Sequence, residues 1–444
     1  MIKAEYNSKL REFTANNLSP TEVERRLISK VYNAFQELFS QNCIQIGSYP
    51  RFTSIRPIHD LDIIFGAGDW DNNNHNPYEL LKTLQIKINS KYKNPTNYQI
   101  ECYLQTHSVT ILFKNHGEEI FSVDIVPGYR LSKNEFGQDT YKVPEIEYLH
   151  QGVLRNDYYR NLIRKNKEML WIASDPRGYI KIAQDVNNLN NDFRKTVKFI
   201  KKWKRCCESK EQTFKLKSFH IEQILVEFFQ KNPKAEIFDG IFNFFYELPE
   251  NIKSPRIIDR ADPSRYIDEY LTELTIDQKE RIIEARDCFL INLEKLTSGN
   301  SIDSLVDSCF YRRASESEQF LFDYKIPTLL DDSYTFEISG RVTQSNGYTP
   351  KNLPMSGAVE LNRKIKFEIN GSQPSVDYFY WKVKNDNNCG QPRGEITKGN
   401  TRNVPEHVKY FGIHYVECYA ILHNTCVAKD RQLVKVYDPW RPFS

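Results

Sequence analysis

Apolar residues recur at helical spacing through Val23, Leu27, Val31, Phe35 and Leu38, which predicts an amphipathic helix of about twenty residues ending near Gln41. Its start is marked by Ser19-Pro20-Thr21-Glu22: Ser19 caps, Pro20 takes the first helical position and Glu22 closes a capping box. The period then shortens. Cys43 to Ile46 reads as extended, Gly47-Ser48 and a polar turn region follow, and His59-Asp60-Leu61-Asp62-Ile63-Ile64-Phe65 alternates as a strand does. Val109, Ile111 and Phe113 alternate again, Asn115 and Gly117 supply turn residues, and Ile120 to Val126 returns, so a hairpin is expected that stops at Pro127-Gly128.

Beyond about residue 150 the texture becomes helical and basic. The segment Arg194 to Arg205 carries seven positive charges and no acid, yet Val197, Ile200 and Trp203 keep helical spacing. A helix follows Ser218, and another opens on a Thr275-x-x-Gln278 capping box and runs towards Gly299. From about 334 short alternating segments take over, among them Thr335 to Ile338, Lys366 to Ile369, Tyr378 to Val383 and Tyr415 to Ala420, with Gly and Asn between them. Such spacing predicts a small β-sandwich of about a hundred residues. No internal repeat and no low-complexity tract is visible.

With 444 residues, two or three packed units are expected. The 40% hydrophobic content is enough to fill their cores, and no apolar run approaches the ~20 residues of a spanning helix. The first residues, Met1 to Thr14, lack the apolar stretch of a secretion signal, so a cytoplasmic protein without membrane insertion is expected. A net charge of +3 is too balanced for a surface that coats nucleic acid, and any affinity for phosphate must be local. The nine cysteines form no C-x-x-C pair and read as reduced, mostly buried thiols. A zinc site at Cys206 and Cys207 lacks further ligands at suitable spacing before His220.

The strongest chemical constellation is Gly47-Ser48, then Asp60-x-Asp62, then Asp124. Residues two apart in a strand point to one side, so Asp60 and Asp62 share a face, and a neighbouring strand can bring Asp124 beside them. Three clustered carboxylates repel one another unless divalent cations neutralise them, and hard oxygen ligands suit Mg²⁺. Two such ions about 4 Å apart activate a hydroxyl on one side and stabilise departing pyrophosphate on the other. Gly47 lets the backbone approach a polyphosphate, and Ser48 offers its hydroxyl and N–H at the start of a short helix. Alone, either pair is commonplace: Asp-x-Asp is more often a solvated edge or turn.

Gly47-Ser48-Tyr49-Pro50-Arg51-Phe52-Thr53, leading to Asp60-Leu61-Asp62 and Ser122-Val123-Asp124, resembles the signature of the polymerase β-like nucleotidyltransferases. The closer resemblance is to the bacterial CD-NTases, the SMODS-type relatives of cyclic GMP-AMP synthase and oligoadenylate synthase. It extends through Trp171 to Gly178, Ile200-Lys201-Lys202-Trp203 and Lys217 to Glu222, and the last hundred residues resemble the AGS-C sensor domain at Tyr380 to Val383, Arg393-Gly394 and Tyr415-Val416-Glu417. The resemblance implies an α+β fold in three parts: a nucleotidyltransferase core over residues 1–185, a helical subdomain completing the cleft over 186–330, and a β-rich AGS-C-like domain over 331–444.

For individual residues the resemblance implies Asp60 and Asp62 on two Mg²⁺ (or Mn²⁺) ions, and Asp124 on the ion that activates the attacking hydroxyl. Gly47 and Ser48 would hold the donor triphosphate, and Lys201 and Ser218 its outer phosphates, with Lys202 nearly equal to Lys201. Against these roles stand a solvated helix face for Lys201 and a helix N-cap for Ser218. His220 reads as a packing residue. Pro50 and Phe52 depart from the smaller, more polar turn of relatives, and the zinc ribbon of the animal DNA sensor is absent, so activation by duplex DNA is not implied. Arg155, Arg160, Arg164 and Lys165, with the basic segment 194–205, would line an acceptor groove.

The implied activity is template-independent transfer of nucleotides from nucleoside triphosphates, with release of pyrophosphate, giving cyclic or linear oligonucleotide signals in anti-phage defence. The implied partners are nucleoside triphosphates, an oligonucleotide acceptor or product, and a downstream effector protein. Two alternatives remain: a tail-adding RNA or DNA nucleotidyltransferase, which the charge balance disfavours, and a nucleotide-binding sensor with little turnover, which the presence of all three acids disfavours.

Overall fold

The computed structural model describes residues 2–71, 73, 76–145, 170–296, 302–343, 351–354, 357–370, 374–399 and 405–437. The chain opens with helix α1 (Ile2–Phe13), a π-helical turn (Thr14–Leu18) and helix α2 (Glu22–Leu38). Strand β1 (Cys43–Ile46), β2 (Asp60–Asp69), helix α3 (Pro77–Lys91), β3 (Gln99–Leu104), β4 (Val109–Asn115), β5 (Glu118–Lys133), β6 (Asp139–Glu145) and β7 (Leu170–Ser174) follow. They form one mixed sheet in the order β1-β2-β5-β4-β3, with β6 paired to β5 and β7 to β6. Only β2 and β5 run parallel.

Period-two alternation divides the two faces of this sheet. Leu61 and Ile63 of β2 and Val123 and Ile125 of β5 are fully buried and pack with Val31 and Phe35 of α2 and Leu81, Leu84 and Ile88 of α3. The residues between them, Asp60, Asp62, Ser122 and Asp124, therefore point to the other face.

Helices α4 (Pro176–Leu189), α5 (Phe193–Lys210), α6 (Ser218–Lys231), α7 (Ile237–Asn251) and α8 (Ile276–Leu293) build a second core. Its centre is aromatic: Trp203 meets Phe245 edge-on at 4.7 Å, and Phe245 stacks on Phe289 at 3.8 Å between ring centroids. Helix α1 belongs to this core and not to the sheet. Tyr6, Leu10 and Phe13 are buried in it, Phe238 N–H donates to Asn7 Oδ1 at 3.0 Å, and Arg11 pairs with Asp192 at 2.6 Å.

The C-terminal part is a sandwich of two sheets. Strands β8 (Glu337–Thr343), β9 (Lys351–Asn352), β10 (Ala358–Glu360), β11 (Lys364–Asn370), β12 (Tyr378–Lys384), β13 (Arg393–Lys398), β14 (Glu406–His407), β15 (Gly412–Leu422) and β16 (Thr425–Tyr437) pair as β10-β16-β15-β12-β13 and β14-β11-β8-β9. Ile338, Ile365 and Phe367 of the second sheet face Phe379, Trp381, Val416 and Cys418 of the first. The strand expected from Thr335 begins at Glu337. A strap from 313 to 323 ties the sandwich to α8: Arg313 pairs with Asp287 at 2.7 Å and with Asp323 at 2.8 Å, and Gln319 N–H donates to Gly394 O at 3.0 Å.

Three expectations are corrected. Helix α2 is capped two residues later than the pattern suggested: Thr21 and Glu24 form the box, with Glu24 N–H donating to Thr21 Oγ1 at 3.2 Å and Thr21 N–H to Glu24 Oε2 at 2.7 Å. Ser19 is instead turned toward the preceding π-helical turn, donating to Thr14 O, and it accepts from Lys198 Nζ. The helix also ends at Leu38, because Ser40 and Gln41 adopt left-handed φ values of 51° and 64°. Finally, Cys288 and Cys309 form a disulfide, with Cα atoms 5.8 Å apart, whereas Cys43, Cys102, Cys206, Cys207, Cys389, Cys418 and Cys426 are free thiols. No helix among the described residues is long and apolar enough to cross a membrane.

Candidate active site

Strand pairing brings the acids together. In the parallel ladder Asp62 lies opposite Asp124 and Asp60 opposite Ser122, while Ile46 at the end of β1 lies opposite Asp62. The chain thus leaves β1 at Gly47 directly beside the Asp62 carboxylate. Gly47 has φ +74°, and a Cβ placed on it would sit 1.8 Å from Asp62 Oδ2. Glycine is required here on two counts, left-handed backbone and close approach. Gly47→Ala is therefore expected to strain the turn by about 1–2 kcal/mol and to push Asp62 out of position. Turnover of the variant should fall at least about tenfold for each ~1.4 kcal/mol lost at the reacting centre; wild-type turnover in it would show that this approach is immaterial.

The segment after Ser48 is a pair of turns and not the start of a helix. Phe52 N–H donates to Tyr49 O at 2.9 Å and Thr53 N–H to Ser48 O at 3.0 Å. Pro50 has no N–H to give, and Phe52 sits at φ +59°, which ends any helical run. Phe52 is 63% exposed, with the Arg194 guanidinium 4.8 Å above its ring.

Behind this loop lies a buried ionic node. Glu222, fully buried on α6, accepts from Arg51 Nε and from Thr53 Oγ1 at 2.8 Å, and pairs with Lys201 Nζ of α5 at 3.2 Å. Lys201 also donates to Thr53 O at 3.2 Å. Burial pushes the Glu222 carboxyl up, but the charges of Arg51 and Lys201 and the hydrogen bonds outweigh it and hold the group below the usual carboxylate range. Lys201 is thus neither on a solvated helix face nor free: its ammonium is buried, its pKa lowered by desolvation, against the opposing charge of Glu222. Ser218 is the first helical residue of α6, and the N-cap position falls to Lys217, which makes no side-chain cap. The first N–H groups of that fourteen-residue helix consequently lack a capping side chain.

These elements enclose a cleft of about 510 Å³ whose wall includes Gly47, Ser48, Arg51, Asp60, Asp62, Lys201, Lys204, Arg205 and Ser218. The sequence pattern singled out most of these. Arg51 and Glu222 escaped it although both stand inside the quoted motifs, because a buried ion pair leaves no periodic trace. Asp124 is turned toward β4, on the far side of β5 from β2, where its Oδ1 accepts from Thr110 Oγ1 and from Ser108 Oγ at 3.5 Å. His220 is buried, its Nδ1 3.0 Å from Tyr270 Oη and its Nε2 3.6 Å from Asp268, and desolvation lowers its pKa to about 4, as a packing role requires. Arg155, Arg160, Arg164 and Lys165 lie outside the described residues.

Desolvation, followed by the charges of Asp60 and Asp124, raises the Asp62 pKa to about 7. Unfolded, the group ionises near 3.8, so ionising it lowers stability: the cost is absent below pH 4, grows as the pH rises and is fully felt above pH 7. Asp62→Asn is expected to raise the unfolding midpoint of the cation-free protein above pH 7 and to leave it unchanged below pH 4. A midpoint unaltered at both pH values would contradict the crowding.

The donor set fits a hard divalent cation: carboxylate oxygens whose mutual repulsion Arg51 and Lys201 offset only in part, with no thiol or imidazole among them. Among the described residues no three His, Cys, Asp or Glu side chains stand close enough to share one ion, in keeping with the lean of Asp124 toward Thr110.

Residues 315–437 match the Adenylyl/Guanylyl and SMODS C-terminal sensor domain family, AGS-C. No curated protein matches the sequence. Among solved structures, the chain is similar to Escherichia coli MS115-1 CdnC with ATP at 17% identity and TM-score 0.47, covering 68% of this chain and 94% of that one. It is also similar to Bradyrhizobium diazoefficiens CD-NTase CdnG in complex with GTP, at 12% identity and TM-score 0.45, over 68% and 96% of the two chains. For Vibrio cholerae DncV cyclic AMP-GMP synthase the values are 12% and 0.40, over 71% and 86%. At such identities the chemistry has to be read from this chain's own residues.

Proposed function

We propose that this chain, whose residues 315–437 carry an AGS-C sensor domain, is a CD-NTase: a template-independent nucleotidyltransferase that makes a cyclic or linear oligonucleotide signal from nucleoside triphosphates. The observation that carries the reading is the ladder register that sets Asp62 opposite Asp124, with Asp60 on the same face and Gly47 against Asp62, at the floor of a cleft whose walls carry Lys204 and Arg205 alongside Asp175, Glu208 and Asp259.

Ser48 and the uncapped first N–H groups of α6 donate to the triphosphate, and Lys204 and Arg205 offset its charge, while Lys201 acts from its seat on Glu222. Asp60, Asp62 and Asp124 would hold two Mg²⁺ or Mn²⁺ ions, which supply Lewis-acid stabilisation of the leaving pyrophosphate and a more acidic acceptor hydroxyl. What the protein itself contributes is positioning: the cleft sets the acceptor hydroxyl in line with the α-phosphate. Division of the chain near residues 185 and 330, a cytoplasmic setting, a role in anti-phage defence and a downstream effector belong to the same reading.

The test is to incubate the protein with each labelled triphosphate and Mg²⁺ or Mn²⁺, treat with phosphatase and resolve the products by mass. Phosphatase-resistant rings or a ladder of linear products support the reading. Nucleotide binding without any product favours a sensor with little turnover.

A further inference from the structure

The C-terminal sandwich contains a second cavity, about 420 Å³, at the end where its two sheets open. Its volume falls within the usual range for small-molecule sites. The floor is apolar: Ile365 and Phe367 from one sheet, Val383, Val416 and Val434 from the other, all buried. Among the described residues a clasp spans its open side. Arg393 on β13, the edge strand of the five-stranded sheet, donates through Nη1 to Glu406 on β14, the edge strand of the four-stranded sheet, at 2.6 Å. Arg393 also donates through Nε to Glu395 at 3.3 Å. It holds φ +54°, a conformation that a non-glycine residue keeps only where its surroundings over-determine it.

The charges on this clasp decide what kind of molecule it suits. Among the described residues that line the mouth, Arg393 and Lys409 are balanced by Glu395 and Glu406, which leaves no net positive charge there to draw a phosphate. Nearby His414 is held neutral: its Nδ1 accepts from Asp386 N–H at 3.0 Å, so Nε2 donates to Tyr410 O at 2.8 Å. The clasp offers a guanidinium fork beside carboxylate acceptors, with Lys409 also in the lining, above an apolar slot with Phe367, Tyr410 and Tyr415 in its wall. A planar heterocycle with ring acceptors adjoining N–H donors complements that pattern. Purines have such an edge, and arginine pairs with purine acceptors in two-point fashion.

We propose that this cavity is a binding site for a purine base, which inserts its ring between the sheets and takes over the hydrogen bonds that Arg393 and Glu406 make to each other. The proposal rests on the AGS-C reading only for the expectation that the domain senses something; the site and the ligand class come from the clasp. The cavity is also wired to the rest of the chain, because Gly394, next to Arg393, accepts from Gln319 of the strap that Arg313 holds against α8.

The test is calorimetric titration of the full chain with guanosine and adenosine, which carry no phosphate, and with inorganic pyrophosphate. Saturable nucleoside binding is expected, with a dissociation constant raised at least tenfold by Glu406→Gln, which keeps the side-chain shape, and by Val434→Phe, which fills the floor. Asp60→Ala with Asp62→Ala should leave it in place. The proposal is overturned if no nucleoside binds, if binding is lost in the Asp60/Asp62 variant but kept in Glu406→Gln, or if Glu406→Gln weakens pyrophosphate and not nucleoside. No turnover is needed for this titration. A chain that makes no product but binds guanosine here contradicts only the nucleotidyltransferase reading, and a chain that makes product but binds no nucleoside contradicts only this one.

Discussion

Replacing Asp60 and Asp62 together by alanine is expected to lower turnover about a thousandfold or more while leaving the fold intact and the cation-free unfolding midpoint at or above that of the wild type. The loss follows from the several kcal/mol that bound divalent ions supply to charge developing in the transition state, at ~1.4 kcal/mol per factor of ten. The retained stability follows from position. Asp60 is exposed and Asp62 is crowded by Asp60 and Asp124, while the core of the sheet is built by the alternate residues Leu61 and Ile63. Removing both carboxylates relieves repulsion and opens no cavity in the apolar core. Product formation by mass spectrometry and a thermal melt check both halves. Undiminished product in this variant would remove the acids from the reaction.

Glu222→Ala should act the opposite way, through the fold first. Glu222 is the shared acceptor for Arg51, Thr53 and Lys201, and its removal leaves two buried cations facing each other without an anion. Breaking a buried pair in this manner costs about 3–5 kcal/mol, and the unfolding midpoint should drop on the order of 10 °C. Activity should fall with it, because Thr53 closes the loop that begins at Ser48 and Lys201 is held to both Thr53 and Glu222. Glu222→Gln keeps an acceptor but not the charge and should fall between the two. A melt unchanged in Glu222→Ala would show that the node is solvated.

Much of this is legible in the amino-acid sequence. The Asp60/Asp62 strand, the 109–126 hairpin, the basic helix α5 and the Thr275 box on α8 follow from periods and caps, which are local properties of the chain, although the return strand β5 runs through Pro127-Gly128 to Lys133 and does not stop there as expected. The register of Asp62 with Asp124 is not local. It needs β2 and β5 to run parallel across an intervening helix and hairpin, and strand spacing alone makes that possible without requiring it. The nonlocal partners escape the pattern, as do helices α1 and α3. Helix α1 shows a helical stripe of Tyr6, Leu10 and Phe13, but nothing in the stripe says that it packs against α7, where Asn7 meets Phe238, 231 residues away. The Cys288–Cys309 bridge and the Lys201–Glu222 pair are invisible for the same reason. Gly-Ser commonly leads into a helix, and here Pro50 and the left-handed Phe52 divert the chain into turns.

The most direct test of the central claim is Mn²⁺ binding followed by electron paramagnetic resonance, with a non-hydrolysable triphosphate present and Asp124→Asn compared with the wild type. If Asp124 shares a cation pocket with Asp60 and Asp62, the substitution should release bound Mn²⁺ or weaken it at least about tenfold, the scale expected on losing a metal-site group. Equal Mn²⁺ occupancy and affinity in the two proteins would mean that the three acids do not serve a common cation.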